Sequence, residues 1–140
     1  MNKDIIFLNP VCTHNIWGGT RLRTEFGYPV EGDDIGECWG ISAHPNGDGS
    51  IRNGVYAGMK LSKVWEEHPE VFGNLAYDRF PLLTKIIDAK ADLSIQVHPD
   101  DAYAKEHENG SFGKTECWYI MDAPENATLV IGHNAKTKEE

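Results

Sequence analysis

Short apolar runs broken by turn residues fill the first half of the chain. Ile5 to Leu8, Cys38 to Ser42 and Ser50-Ile51 each stand beside Gly, Asn, Asp or Pro, as in Asn46-Gly47-Asp48-Gly49. This spacing predicts short strands joined by long connections. At Leu61, Val64, Trp65 and His68 the period becomes that of a helix face, with Ser62 placed to cap it. Pro69 interrupts the pattern and Val71-Phe72-Gly73 stops it, so one or two short helices are expected there. Beyond Pro81 the runs are of β type. Leu82 to Asp88 and Leu93 to His98 flank the polar turn Ala89-Lys90-Ala91-Asp92 and are expected to pair as antiparallel neighbours. Asp100 can cap a short helix from Asp101 to Glu108, which Asn109-Gly110 closes. Thr115 to Met121 and Thr128 to Ile131 follow as two more β-type runs, and strands at this spacing predict a mainly β fold, a sandwich or barrel.

Composition narrows the classes. The 140 residues make about one domain, and 13 Lys and Arg against 22 Asp and Glu leave a net charge of -9. A polyanion is repelled by such a surface, so nucleic acid and anionic membrane are excluded as partners. The cysteines, Cys12, Cys38 and Cys117, are too scattered for a disulfide framework or a Cys-based zinc site, and reduced, cytoplasmic thiols are expected. The charged pair Lys3-Asp4 precedes only four apolar residues, Ile5 to Leu8, so neither a signal-peptide core nor a membrane span is read there. At the other end Thr137-Lys138-Glu139-Glu140 has the pattern of a capping box, a helix start that suggests an amino-terminal part of something longer.

Chemistry concentrates in two segments. In Leu93-Ser94-Ile95-Gln96-Val97-His98-Pro99, strand alternation sends Leu93, Ile95 and Val97 to one apolar layer and puts Ser94, Gln96 and His98 on the other face. Those three are spaced roughly 6.5 Å apart along the strand. Imidazole and amide oxygen beside one another suit a divalent ion. In Lys114-Thr115-Glu116-Cys117-Trp118-Tyr119 the same alternation groups Lys114, Glu116 and Trp118. Glu116 offers an anionic ligand, and Lys114 a charge to hold an anion. Gly113-Lys114-Thr115 fails as a phosphate-binding loop, because Glu108 stands where the first glycine is needed and a β-type run follows it. No base is placed by sequence beside any of the three cysteines, which leaves a thiol nucleophile unsupported.

Together the blocks Leu93 to Asp101 and Gly113 to Tyr119 resemble the zinc-binding signature of type I mannose-6-phosphate isomerases in their short bacterial form. Glu37-Cys38-Trp39-Gly40-Ile41-Ser42 and Asn15-Ile16-Trp17-Gly18-Gly19 are similar to further segments of that family, so the resemblance runs through essentially the whole chain. It implies a cupin-type β-sandwich, or jelly roll, with residues 1–140 as the amino-terminal cupin-type domain of a longer isomerase. It also implies zinc held by Gln96, His98 and Glu116, with Ser94 and Lys114 meeting the sugar phosphate. A further His ligand and an Arg assigned to catalysis lie downstream in the family, so no catalytic residue is named in this chain. The implied reaction interconverts mannose 6-phosphate and fructose 6-phosphate. The competing expectation is a non-catalytic cupin fragment or module that binds a metal or a sugar and self-associates through exposed strand edges. An iron-dependent cupin oxygenase is weaker, since its usual site needs two His and a carboxylate together.

Overall fold

The structure is a computed structural model that describes residues 5–137. Lys3-Asp4 and the last three residues of the expected capping box therefore lie outside the described residues. The chain divides into two compact units, Met1–Leu93 and Ser94–Glu140.

The first unit contains strands β1 (Leu8–Asn9), β2 (Val11–Gly19), β3 (Ile35–Ser42), β4 (Ser50–Ile51) and β5 (Leu83–Ile87), with helices α1 (Arg21–Thr24) and α2 (Leu61–Glu67). Single helical turns at Gly54–Tyr56 and Pro69–Phe72 complete it. β2, β3 and β5 form an antiparallel sheet in that order, and β1 pairs with β4. The expected strands at Cys38 to Ser42, Ser50-Ile51 and Leu82 to Asp88 are present, the first and last with shifted ends. β2 has no clean alternation in its sequence because its register with β3 shifts twice, between Thr13 and His14 and again before Gly19. Such irregularities break the period of two that reveals a strand. Ile5 to Leu8 contributes only Leu8 to a strand.

β5 does not pair as its sequence neighbourhood predicts. Its partner is β3, with Trp39 opposite Lys85 and Cys38 opposite Ile86, and not the run Leu93 to His98. The reason lies in the turn between them. Lys90 and Ala91 both donate their N–H to Trp17 O, at 2.9 and 3.3 Å, and Gly18 bridges Ala89. The amides that would close a hairpin are thus taken by β2.

Two apolar clusters hold this unit together. Leu22, Ile35 and Cys38 are buried with Cys12, Tyr28, Val30 and Ile86 around them. Ile51, Leu61 and Val64 form the other, flanked by Ile6, Leu8, Phe72 and Phe80. Each fully buried aliphatic side chain contributes about 1.5–3 kcal/mol relative to exposure. Trp65, Phe72 and Phe80 pack with ring centroids 5.0–5.8 Å apart. α2 lies where the apolar spacing puts it, but Ser62 is inside the helix instead of capping it. The capping group is remote in sequence: Asp48 accepts from Ser62 N at 3.3 Å and from Ser62 Oγ at 2.6 Å. An acidic side chain at a helix start satisfies a free amide and faces the positive end of the helix.

The second unit has one regular element among its described residues, helix α3 (Asp101–His107). Asp100 caps it as expected, accepting from Tyr103 N at 2.8 Å, and the chain leaves it through left-handed Asn109 and Gly110. The strands expected at Leu93 to His98, Thr115 to Met121 and Thr128 to Ile131 are not formed among the described residues. β-type composition makes a strand only where another segment offers its N–H and C=O groups in register. The expected apolar layer fails for the same cause, with Ile95 81% and Val97 89% exposed.

Candidate functional site

The site candidates all lie in the second unit, and α3 sets up their approach. Pro99 and the capping Asp100 fix the chain just after His98. The segment returning after the helix is then tied to that corner. Lys114 N donates to Pro99 O at 3.1 Å, and Gly113 N donates to the Asp101 carboxylate at 2.9 Å. Only glycine fits at position 113, since a Cβ there would lie 2.6 Å from Asp100 C and Asp101 N and 2.9 Å from Pro99 O. This close crossing carries Lys114 and Glu116 to His98 across a sequence gap of 16 and 18 residues.

Three charged or ionisable groups converge there. His98 Nε2 is 3.3 Å from Glu116 Oε1, Lys114 Nζ is 3.1 Å from Glu116 Oε2, and Lys114 Nζ is 3.2 Å from His98 Nε2. Trp118 Nε1 donates to Glu116 Oε1 at 3.2 Å, so the alternation that grouped Trp118 with Lys114 and Glu116 is observed even without a strand. Burial alone would raise the Glu116 carboxyl. Hydrogen bonds from Trp118 and Lys114, and the nearby charges of Lys114 and His98, outweigh it and hold the group below its ordinary value. Glu116 is thereby an anion at neutral pH, 36% exposed and open to a ligand, beside a His98 only 24% exposed. Gln96 and Ser94 pair with one another instead, Gln96 Nε2 donating to Ser94 Oγ at 3.0 Å. That bond occupies the amide nitrogen, and the carbonyl oxygen is the atom of Gln96 suited to a cation.

A family model of the catalytic domain of type I phosphomannose isomerase matches residues 5–131. The chain belongs to that family. It is 54% identical over its full length to the mannose-6-phosphate isomerase ManA of Bacillus subtilis strain 168, covering 44% of that protein. It is 56% identical over 135 residues to the mannose-6-phosphate isomerase of Streptococcus mutans, with 96% of this chain and 42% of that protein covered. The crystal structure of the Bacillus subtilis mannose 6-phosphate isomerase superposes with a TM-score of 0.86 at 60% identity, over 87% of this chain and 39% of that one. The chain thus spans less than half the length of these relatives, and it carries the family's mainly β, cupin-type fold with a few short helices.

The donor set of this isomerase-family chain fits a zinc ion. With Zn–N and Zn–O bonds of about 2.0–2.2 Å, two ligands at the tetrahedral angle stand about 3.4 Å apart. The 3.3 Å between His98 Nε2 and Glu116 Oε1 matches that edge. Among the described residues no three His, Cys, Asp or Glu side chains gather as a metal site. No described helix is long and apolar enough to cross a membrane.

A second cluster, in the first unit, escaped the sequence reading. Glu37 receives both Lys85 Nζ, 3.1 Å from each carboxylate oxygen, and Trp39 Nε1 at 2.7 Å. Lys85 lies over the Trp39 ring, 4.6 Å from its centroid. The available signal was a lysine inside the apolar run Leu83-Thr84-Lys85-Ile86-Ile87, where a charge needs a partner.

Proposed function

We propose that this chain supplies metal- and substrate-binding residues of a zinc-dependent isomerase that interconverts mannose 6-phosphate and fructose 6-phosphate by moving a proton between C1 and C2. The observation that supports this reading is the convergence of His98, Glu116 and Lys114 behind the Gly113 crossing. Gln96, His98 and Glu116 would hold the metal, and a zinc ion there would supply positive charge near the substrate oxygens. Glu116, kept ionised, offsets part of the ion's charge. Lys114, the one ammonium in the cluster, recognises the anionic end of the sugar phosphate, and Ser94 meets its hydroxyl or phosphate oxygens. The reading assigns no general base within these residues, and it places the enzyme in the cytoplasm.

Two measurements on the 140-residue chain test the proposal. Zinc titration should give one site, weakened in His98→Ala and in Glu116→Ala; full zinc retention by both variants refutes the ligand assignment. Conversion of mannose 6-phosphate is then followed with zinc and with chelator, for this chain and for a longer chain of the length of its relatives. Zinc-dependent turnover in either supports the isomerase, and metal binding without turnover in both favours a non-catalytic binding module.

A further inference from the structure

Cys12 and Cys38 are 26 positions apart in sequence, yet they stand directly opposite one another in the antiparallel pair of β2 and β3. Opposed residues in such a pair have Cα atoms about 4.5 or 5.5 Å apart, depending on the hydrogen-bonding class. Both values fall within the range of about 4.4–6.8 Å that a disulfide accepts without backbone movement. Cys38 is near enough to Cys12 to push its thiol up, and Tyr28 packs against the same cluster. Both sulfurs are reduced in this structure. Cys38 is fully buried against Leu22 and Ile35, while Cys12 is half-buried at the margin of the cluster. The pair lies in the first unit, among none of the residues assigned to metal or sugar.

We propose that Cys12 and Cys38 form a reversible cross-strand disulfide, a modification site whose reagent is a small-molecule disulfide such as glutathione disulfide. The half-buried Cys12 meets the reagent first. Its thiolate attacks one reagent sulfur, the reagent's S–S bond breaks, and one small thiol leaves with a proton. Cys38 then gives up its proton and attacks the Cys12 sulfur, expelling the second small thiol. Two protein thiols are oxidised and one small disulfide is reduced to two thiols. Burial, and then the Cys38 thiol beside it, push the Cys12 thiol up to about 12, so thiolate is scarce and the exchange is slow at neutral pH. Once formed, the bond closes the loop that holds α1 and ties β2 to the middle strand of the sheet.

The exposed Cys117 is first removed by Cys117→Ser, so that any change reports the pair. The full chain is incubated with glutathione disulfide for hours under native conditions and its mass and tryptic peptides are read. The expected result is a loss of about 2 Da and a peptide pair joined through Cys12 and Cys38, separated by dithiothreitol. Trypsin cuts at Arg21 and Arg23, between the two cysteines, so the joined peptides are unambiguous. The thermal midpoint should rise by on the order of 10 °C through loop closure. An unchanged mass, a lasting glutathione adduct on Cys12, or a joined pair with a lowered midpoint would each overturn the proposal.

Discussion

Replacing Lys85 by Met removes the cation from the cluster with Glu37 and Trp39 while keeping a side chain of similar length over the indole. In the structure Lys85 is 21% and Glu37 16% exposed, so the pair is neither at the surface nor fully dry. At the observed 3.1 Å, and with an effective dielectric of about 20, the gross attraction is about 5 kcal/mol. Much of that is offset by desolvating the two charges. What the substitution leaves behind decides the net effect: a largely buried carboxylate whose remaining hydrogen bond is from Trp39 Nε1. Stranding one partner of a fully buried pair costs about 3–5 kcal/mol, and the residual exposure here reduces that to about 2 kcal/mol. The lost cation–π contact is small, and the Met sulfur partly replaces it. Urea unfolding followed by tryptophan fluorescence should therefore show the midpoint of Lys85→Met lowered by about 1 M, for a slope of about 2 kcal/mol/M. Glu37→Gln/Lys85→Met, which strands no charge, should recover at least half of the loss. A cost below about 0.5 kcal/mol, or a double variant that loses the sum of the two single losses, would refute the reasoning that this ion pair is a coupled element of the sheet.

Gly113→Ala should push the returning segment off the corner at Pro99 and Asp100 and weaken zinc binding about 10–100-fold, as loss of a supporting contact does. Unchanged affinity in a chelator competition would show that the crossing does not position the ligands. Lys114→Met should spare the metal and raise the KM of the zinc-loaded enzyme for mannose 6-phosphate; an unchanged KM would count against phosphate recognition. Asp100→Ala removes the α3 cap and should cost about 1 kcal/mol locally, read as faster exchange of the helix amides, with equal protection as the contrary result. The hydrogen bond from His14, 2.6 Å away, is the main cause that holds the Asp34 carboxyl below its ordinary 3.8. A depressed folded-state value gives a contribution that is present above the ordinary value and lost as pH falls through the folded one. NMR titration of Asp34 should move up towards 3.8 in His14→Ala, and an unmoved curve would exclude that cause.

The readings that succeeded rest on groups within a few residues of one another. Asp100 caps α3 because its carboxylate reaches an amide three positions on, and Asn109-Gly110 ends the helix because those residues accept left-handed backbone. The apolar stripe Leu61, Val64 and Trp65 likewise declared its own helix face. Candidate site residues were legible as residue types in two blocks, and alternation placed Lys114, Glu116 and Trp118 together. That His98 meets Glu116 required the Gly113 crossing, which no local pattern announces.

By itself, then, the sequence determined the Asp100 cap of α3, the apolar face of α2, the family and the residue types offered as candidate donors. Tertiary structure alone decided which β-type runs became strands, since a ladder needs a second segment to present its amides in register. It chose β3 for β5 by using the turn at Lys90 and Ala91 to satisfy Trp17 O. It brought Asp48 to the start of α2, Lys85 to Glu37 and Cys12 to Cys38. Each of those pairs spans at least 14 positions, farther than the one or two turns over which backbone geometry fixes neighbours, so only the folding of the chain on itself could join them.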